Sequence, residues 1–547
     1  MLRLTGSRKK IYFDGFLPKN KYKTRRARLQ SYTKQLSNYY EAWPQVIPST
    51  PRSQTSGLLQ HNLFPSEPVS SRLTQIPAAP FLVPAVIEAL CKSLSYQDMV
   101  EVVPGEADLY CAGYLNEHGG IVLTSDSDLL VHDLGISGGV TFFRDVQLIW
   151  TLGEPSIRGV QYRISAIIER LGLPVGHGLS SLAFEISMDV HASLPQLLRR
   201  ATKLTAIREN GIEYEKFLTQ YARLPSEVES SIHTDGGEQM RCITSKSLLR
   251  RLDPRVSEFV LQIPVFADIA GLKAESDKTS RGGPLNVFLP FIIDCPVKTS
   301  AWEISISIRL IAYGALNLGV LENEKFRTVT EYGRQQSEGQ GRTWHVPSTL
   351  QMQEACASLN ETIAQIRNIE VSLSDSEIWT VLAMHQNIIW ASESNKESLC
   401  FKLIRVPAEN AALKERLDWD TIHFLAQLSS SIYSFRMLKQ SLAASIPCGG
   451  SDVSFPALTA IYHELRMLPP LSELWRIDGA SDWLRSAEAE RALTIACKIL
   501  DIEDVTRAGP KTPARKDKKK RKRDRSEQVD DTPQVPPANI FELLSSE

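Results

Sequence analysis

The spacing of apolar positions changes along the chain and predicts an α/β region near its start. Residues 11–13 form a short apolar run, and apolar runs alternate with helical spacing from residue 80 onward. The pattern predicts a helix over about 82–95, a strand over Met99–Val103 and a helix over about 106–117, then strands over Ile121–Thr124 and near 139–143. Strands that alternate with helices favour a parallel sheet with crossover helices.

The remainder of the chain has a different pattern. Residues 145–200 and most of 201–505 carry apolar residues at helical spacing, which predicts a mainly α-helical C-terminal region. Residues 45–79 are rich in Pro, Ser, Thr and Gln and predict a linker or loop. We therefore expect an α/β domain over 1–200, a helical region over 201–507 and a disordered basic tail over 508–547.

Composition narrows the class of protein. The 547 residues are 42% hydrophobic with a formal net charge of −1, so a basic surface has to be local. The eight cysteines are scattered without a CxxC pair, which favours reduced thiols in an intracellular protein, and no apolar run reaches membrane-spanning length. The histidines His118, His132 and His191 lack zinc-ligand spacing and predict surface or packing roles.

The tail carries two further signals. Its block KDKKKRKR (516–523) predicts a nuclear localisation signal or a nucleic-acid-binding arm, with a merely solubilising tail as the alternative. The terminal NIFELL segment either docks as a short helix on a protein partner or has no function.

Two acidic pairs carry the candidate chemistry. In VEVVPGEADLYCAGYLNEHGGIVLTSDSDLLVHD, Glu106 and Asp108 follow one predicted strand, and Asp126 and Asp128 follow the next. The carboxyl ends of parallel strands form one rim, so the pairs should converge on one crevice. Each residue alone favours a helix-capping role, but the two pairs together favour Mg²⁺ or Mn²⁺.

These motifs resemble those of the flap endonuclease/XPG superfamily. PGEADLYCA followed by a strand and SDSDLL is similar to its internal motif, and IYFDGFLPKNKYKTRRARL resembles its earlier motif, a strand ending in Asp-Gly before a basic helical arch. The segment LAFEISMDVHASLPQLLRRA is a weaker match to the part that supplies a late metal ligand. The C-terminal motifs LDPRVSEFVLQ, SAWEISISIRLIAYG and VTEYGRQ resemble the fungal branch of the asteroid family, whose members carry an XPG-like nuclease domain.

The resemblance implies a PIN/flap-endonuclease-like parallel sheet with flanking helices and a site that holds two divalent ions. The implied metal ligands are Asp14, Glu106, Asp108, Asp126, Asp128 and Asp189. Lys21 and Arg28 stand seven and fourteen residues after Asp14, as the arch cations of the family do, and are the implied phosphate-neutralising residues. Further charge for nucleic-acid binding comes from Lys19, Lys23, Arg25 and Arg26, while Tyr22 either stacks on a base or packs against the protein.

The sequence departs from the family pattern at two places. No acidic residue precedes Asp14, whereas the family has an upstream strand with another metal-site Asp. We therefore expect either a fragment or mispredicted start, or a shortened protein that binds without cutting. HASLPQLLRRA also lacks the glycines of the family's duplex-gripping turn. The resulting hypothesis is a nuclear Mg²⁺-dependent nuclease acting on single-stranded or flap-like DNA, and the alternative is an inactive nuclear nucleic-acid-binding or scaffold protein.

Overall fold

The computed structural model describes residues 9–45, 79–151, 154–222, 246–272, 283–334, 340–404, 417–446, 455–473 and 479–502. The predicted linker and the basic tail, including KDKKKRKR and NIFELL, therefore fall almost entirely outside the described residues. Among the residues described, no helix is long and apolar enough to cross a membrane.

The predicted strands of the N-terminal part form two parallel pairs. Strand β1 (Ile11–Asp14) pairs with β2 (Val100–Val103), and β3 (Gly120–Thr124) pairs with β4 (Gly138–Phe142). Over the described ranges these pairs are two separate two-stranded sheets and not one continuous sheet. The helices between these strands are α1 (Tyr22–Ala42), α2 (Leu82–Lys92) and α3 (Ala107–His118).

The segment after β4 begins with a β-hairpin, so the prediction of helix over 145–200 is wrong for its first part. Strands β5 (Val146–Thr151) and β6 (Glu154–Gly159) pair antiparallel. The segment VQLIWT is rich in β-branched and aromatic residues, which favour strands, and this local preference outweighs the apolar spacing. Helices follow the hairpin: α4 (Ile164–Leu171), α5 (Gly178–Met188), α6 (Leu194–Lys203), α7 (Thr205–Glu209) and α8 (Gly211–Thr219).

The C-terminal part is mainly helical, as predicted, but it also contains a small mixed sheet that the sequence analysis missed. Strand β8 (Thr328–Tyr332) lies between β7 (Leu285–Phe288), which is parallel to it, and β9 (Arg342–His345), which is antiparallel. Its helices are α9 (Pro254–Val260), α10 (Pro264–Ala270), α11 (Ile306–Leu316), α12 (Thr349–Ile369), α13 (Asp375–Glu393), α14 (Leu399–Ile404), α15 (Trp419–Ser445), α16 (Pro456–Leu465), α17 (Ala480–Leu484) and α18 (Ala487–Ile499).

Hydrophobic clusters connect these elements. One cluster contains α3, β4 and the helices α5 to α8, and the largest contains the C-terminal helices around α11, α13 and α15. A third cluster joins Leu29, Leu36 and Tyr39 of α1 to Phe291 and Trp419 of the C-terminal part. The N-terminal helix α1 therefore packs against residues more than two hundred positions away in the sequence.

A buried charge network also links the two parts. The Arg436 guanidinium donates to both oxygens of Asp253 at 2.7 and 2.9 Å and to Glu88 Oε2 at 3.2 Å. Glu88 lies on α2, Asp253 directly precedes α9, and Arg436 lies on α15. Because a buried charge is costly without a partner, this network favours one arrangement of the three helices.

Candidate active site

Strand β1 brings Asp14 to its carboxyl end, opposite Val103 at the end of β2. The next residue, Gly15, is required by close packing. A Cβ atom there would lie 2.3 Å from the Val103 carbonyl oxygen and 2.9 Å from Ser257 Oγ. The Asp-Gly pair therefore places a carboxylate where β1 is held closely against both β2 and the start of the C-terminal part.

The first acidic pair lies at the N-terminus of α3. Glu106 is the N-cap residue and Asp108 lies in the first turn. The Ala107 N–H donates to Asp14 Oδ1 at 2.7 Å. The carboxylate at the end of β1 therefore lies at the positive N-terminal end of α3. This contact brings Asp14 to Glu106 and Asp108, as the sequence analysis predicted.

The second acidic pair follows β3 and makes local turns. The Asp126 N–H donates to Thr124 Oγ1 at 2.9 Å, and the Asp128 N–H donates to Asp126 Oδ1 at 2.9 Å, before a short 3₁₀-helix over Asp128–Leu130. Asp126 therefore forms an Asx turn just before this short helix, whose N-cap residue is Ser127. Asp128 Oδ1, in contrast, is buried and has no hydrogen-bond partner among the described residues.

The two acidic pairs are close enough to interact electrostatically. Burial, followed by the charges of Asp126, Asp14, Asp128 and Glu106, raises the pKa of Asp108 to about 7. Burial and then Asp126 raise the pKa of Asp128 to about 6, and burial raises the pKa of Asp14 against its bond from Ala107. We call these five residues, Asp14, Glu106, Asp108, Asp126 and Asp128, the acidic cluster.

The acidic cluster should make metal-free stability depend on pH. The folded-state pKa of Asp108 lies above its value of about 3.9 in an unfolded chain, so the folded state binds more protons between about pH 4 and 7. The free energy of unfolding therefore falls as pH rises through this window. In EDTA, Asp108→Asn should raise the unfolding free energy by up to about 4 kcal/mol at pH 8 and change it little below about pH 4.

Urea unfolding of the wild type and Asp108→Asn at the two pH values measures this difference. If Asp108→Asn destabilises the protein more at pH 8 than at pH 4, burial and repulsion between carboxylates do not raise the pKa of Asp108.

Lys21 lies next to the acidic cluster and interacts with three of its carboxylates. Its Nζ lies 2.6 Å from Glu106 Oε1, and its charge also acts on Asp14 and Asp128, lowering the pKa of each against the effect of burial. The Lys21 side chain remains 45% exposed, so it can also meet a ligand from solvent. The phosphate-neutralising role implied by the resemblance stays a prediction for this residue.

Two residues beside the acidic cluster were not predicted. The His132 ring is 6% exposed and lies edge-on to Tyr221, with ring centroids 5.0 Å apart. Burial lowers the pKa of His132 to about 4, against the charges of Glu106 and Asp126, and burial followed by Asp128 and Asp126 raises the pKa of Tyr221. Both therefore stay neutral at pH 7. The signal for His132 is its position four residues after Asp128, whereas nothing in the sequence singles out Tyr221.

The structure does not bring Asp189 to the acidic cluster. Its Oδ2 accepts from Arg200 Nη1 at 2.9 Å, and this bond is the first cause of its lowered pKa. Both side chains are about two-fifths exposed. The late ligand implied by the weaker motif is therefore a surface ion-pair residue in this structure.

The other basic residues in α1 and in the residues directly before it have different surroundings. Arg25 Nη2 donates to Glu258 Oε1 at 2.9 Å, and the Arg26 guanidinium lies 5.9 Å from the centre of the Tyr332 ring. Arg28, like Lys19 and Lys23, is exposed, and no contact joins Arg28 to the acidic cluster in the described ranges. Tyr22 packs edge-on to Phe288 at 5.3 Å, which favours its packing role over base stacking.

The chemistry of the acidic cluster fits a hard divalent cation. It offers only carboxylate oxygens, the donors that Mg²⁺ and Mn²⁺ prefer, and Asp128 Oδ1 is a buried oxygen in need of a partner. Within the described residues, however, no three His, Cys, Asp or Glu side chains already form a group that could hold a metal ion. The oxygen donors are therefore of the type that binds such a cation, but in this structure they do not surround a single point.

A cavity of about 420 Å³ lies elsewhere, beside the β7–β9 sheet. Its lining cations are paired: Arg309 with Glu331, Arg334 with Asp294 and Arg342 with Glu303. It contains none of the predicted site residues. This cavity is therefore separate from the candidate chemistry.

Comparison with known protein families places part of the chain in one of them. Residues 78–345 match the family described as "XPG domain containing", a span that includes both acidic pairs and ends at the last residue of β9, while β1 and α1 lie outside it. No curated protein and no solved structure matches the chain significantly. The match over residues 78–345, which contain four of the five carboxylates of the acidic cluster, supports an XPG-like nuclease superfamily for this chain.

Proposed function

We propose that the chain is a metal-dependent, structure-specific nuclease that hydrolyses phosphodiester bonds of single-stranded or branched DNA. The observation that carries this proposal is the acidic cluster, five electrostatically interacting carboxylates that lie at or just after the ends of parallel strands. The XPG-domain match spans most of that site. We also propose membership of the asteroid family, fungal branch, on its C-terminal motifs.

The roles of the residues follow from their chemistry. The acidic cluster would hold two Mg²⁺ or Mn²⁺ ions, which when bound would activate water and stabilise the leaving oxygen of a phosphodiester. Lys21, which faces Glu106, would neutralise a non-bridging phosphate oxygen next to these carboxylates. Arg28 lies in the second turn of α1, seven residues after Lys21, and would contact an adjacent phosphate of the DNA backbone.

The basic segments suggest where nucleic acid would lie and where the protein would act. Lys19, directly before α1, and Lys23 and Arg28, in its first two turns, are exposed on the segment that also carries Lys21. DNA binding by these cations should weaken as salt concentration rises, because each neutralised phosphate releases counterions. The block at 516–523 favours a nuclear location.

Cleavage of labelled oligonucleotides tests the proposed function. The full chain should cut a single-stranded or 5′-flap substrate in Mg²⁺ or Mn²⁺ and leave it intact in EDTA, since the carboxylates cannot stabilise phosphate charge without a cation. A fully paired duplex of the same sequence is the control substrate. Absence of any metal-stimulated cutting over all three substrates would exclude the nuclease proposal.

One observation favours the alternative of a binding protein without catalysis. No three metal-ligating side chains are already gathered among the described residues. In that case the chain would bind single-stranded DNA equally in EDTA and in Mg²⁺, and Asp126→Asn would bind at least as tightly because it removes a repelling charge. Metal-stimulated cutting by the wild type would eliminate this alternative.

A further inference from the structure

Helix α1 is docked along its length against the C-terminal part, although the sequence predicted a basic arch over the site. Tyr22 meets Phe288 at 5.3 Å and Tyr32 meets Phe291 at 5.5 Å. At the other end, Trp419 packs against Tyr40 at 5.3 Å, and its Nε1–H donates to the carbonyl of Trp43 at 2.7 Å. These contacts leave the first turns of α1 with little freedom to move away from the C-terminal part.

The first turns of α1 are also held by a buried charge. Glu258, on α9, is 7% exposed and accepts from Arg25 Nη2 at 2.9 Å and from Arg255 Nη1 at 2.8 and 2.9 Å. A carboxylate buried to this extent needs its cations, so Arg25 is a structural partner of Glu258. This use competes with the phosphate contact that the sequence analysis gave to Arg25.

Lys21 is the residue directly before α1 and Arg25 lies in its first turn. Because Lys21 has helical backbone angles and Arg25 follows it by four residues, the two side chains point to the same side of the helix start. Lys21 contacts Glu106, and Ser257, beside Glu258, lies against Gly15, the residue after Asp14. Helix α9 therefore touches the end of β1 and the start of α1 at once.

We propose that α9 of the C-terminal part positions the site, with Glu258 holding Arg25 so that Lys21 stays at the acidic cluster. Arg25 is then a positioning residue, whereas Lys21 meets the substrate. The role of Lys21 toward DNA rests on the proposed function, whereas the contact between Arg25 and Glu258 does not depend on it. It gives the C-terminal part a role in building the site.

A double-mutant cycle between Arg25 and Lys21 tests the proposal. Arg25→Met should lower the rate constant for flap cleavage about tenfold at saturating substrate, because Lys21 is then misplaced. In a Lys21→Met background, Arg25→Met should cause almost no further loss. The matched control is Lys23→Met, an exposed neighbour, whose effect should be mainly on substrate affinity and should add to that of Lys21→Met.

Amide hydrogen exchange provides a readout that does not depend on activity. Arg25→Met should speed exchange in residues 22–30 relative to wild type, and Arg25→Lys, which keeps the charge, should restore part of the protection. Additive losses from Arg25→Met and Lys21→Met, or unchanged exchange in Arg25→Met, would overturn the proposal. If the wild type neither binds nor cuts DNA, the proposed function fails and the exchange measurement alone decides whether Glu258 and Arg25 fix α1.

Discussion

Asp126→Asn should lower the rate constant of Mg²⁺-dependent cleavage by about 10²–10³-fold while the protein stays folded. The charge of Asp126 acts on Asp108, Asp128, His132 and Tyr221, so this residue is central in the acidic cluster. Asparagine retains an oxygen that can accept from the Asp128 N–H and so preserves the local turn. The loss should therefore come from the missing charge, and single-turnover cleavage with an unfolding curve separates the two effects.

Asp189→Asn is the matched control for this prediction. The same chemical change is made at a carboxylate that pairs with Arg200 on the surface. Because this exposed ion pair has no contact with the acidic cluster in the described residues, the cleavage rate should stay within about fivefold of wild type. Equal losses for Asp126→Asn and Asp189→Asn would show that Asp189 acts with the acidic cluster after all.

Arg309→Met should destabilise the C-terminal part by about 3–5 kcal/mol, the largest stability effect we expect from one substitution. Arg309 is 2% exposed and donates to both oxygens of Glu331 at 2.7 and 3.0 Å, while Tyr313 donates to Glu331 at 2.6 Å. Removing the arginine leaves the Glu331 charge buried without its cation. The midpoint of urea unfolding, followed by tryptophan fluorescence, measures the loss.

Two further variants decide whether the buried charge is the cause. Arg309→Met combined with Glu331→Met should recover at least half of the lost stability, because no unpaired charge remains. Arg367→Met removes an exposed arginine that is bonded to Glu464 in a similar two-bond arrangement and should cost less than about 1 kcal/mol. Equal costs for Arg309→Met and Arg367→Met would contradict this explanation.

The acidic cluster could be predicted because its residues are close in sequence to strand ends. Asp14 follows an apolar run, and the pairs Glu106/Asp108 and Asp126/Asp128 each follow a strand whose boundaries were predicted to within one or two residues. The carboxyl ends of parallel strands then bring these residues to one side of the fold without further information. Lys21 could be placed because it follows Asp14 by only seven residues.

The parts that the sequence analysis missed depend on contacts between distant residues. The docking of α1 uses Phe288, Phe291 and Trp419, which no local pattern connects to Tyr22 or Tyr39. Arg25 and Lys23 look alike in the sequence because both are basic residues in the same basic segment. Only the contact with Glu258, 233 positions away, shows that Arg25 has a structural partner while Lys23 is exposed. Strands β5 (VQLIWT) and β7 (LNVF) were missed because short apolar runs fit a strand and a buried helix equally well. Strands β6, β8 and β9 are short and partly polar, and their pairing with other strands is not visible in the local pattern.

Cation binding to the purified chain tests the central claim most directly. Titration with Mn²⁺, followed by calorimetry and by the loss of the free-ion electron paramagnetic resonance signal, should show saturable binding to the wild type and to Asp189→Asn. Binding should be weakened at least about tenfold in Asp126→Asn and Asp128→Asn, because each removes a carboxylate from the acidic cluster. Equal Mn²⁺ binding by all four proteins, or none by the wild type, would contradict the assignment of the acidic cluster as a metal-dependent active site.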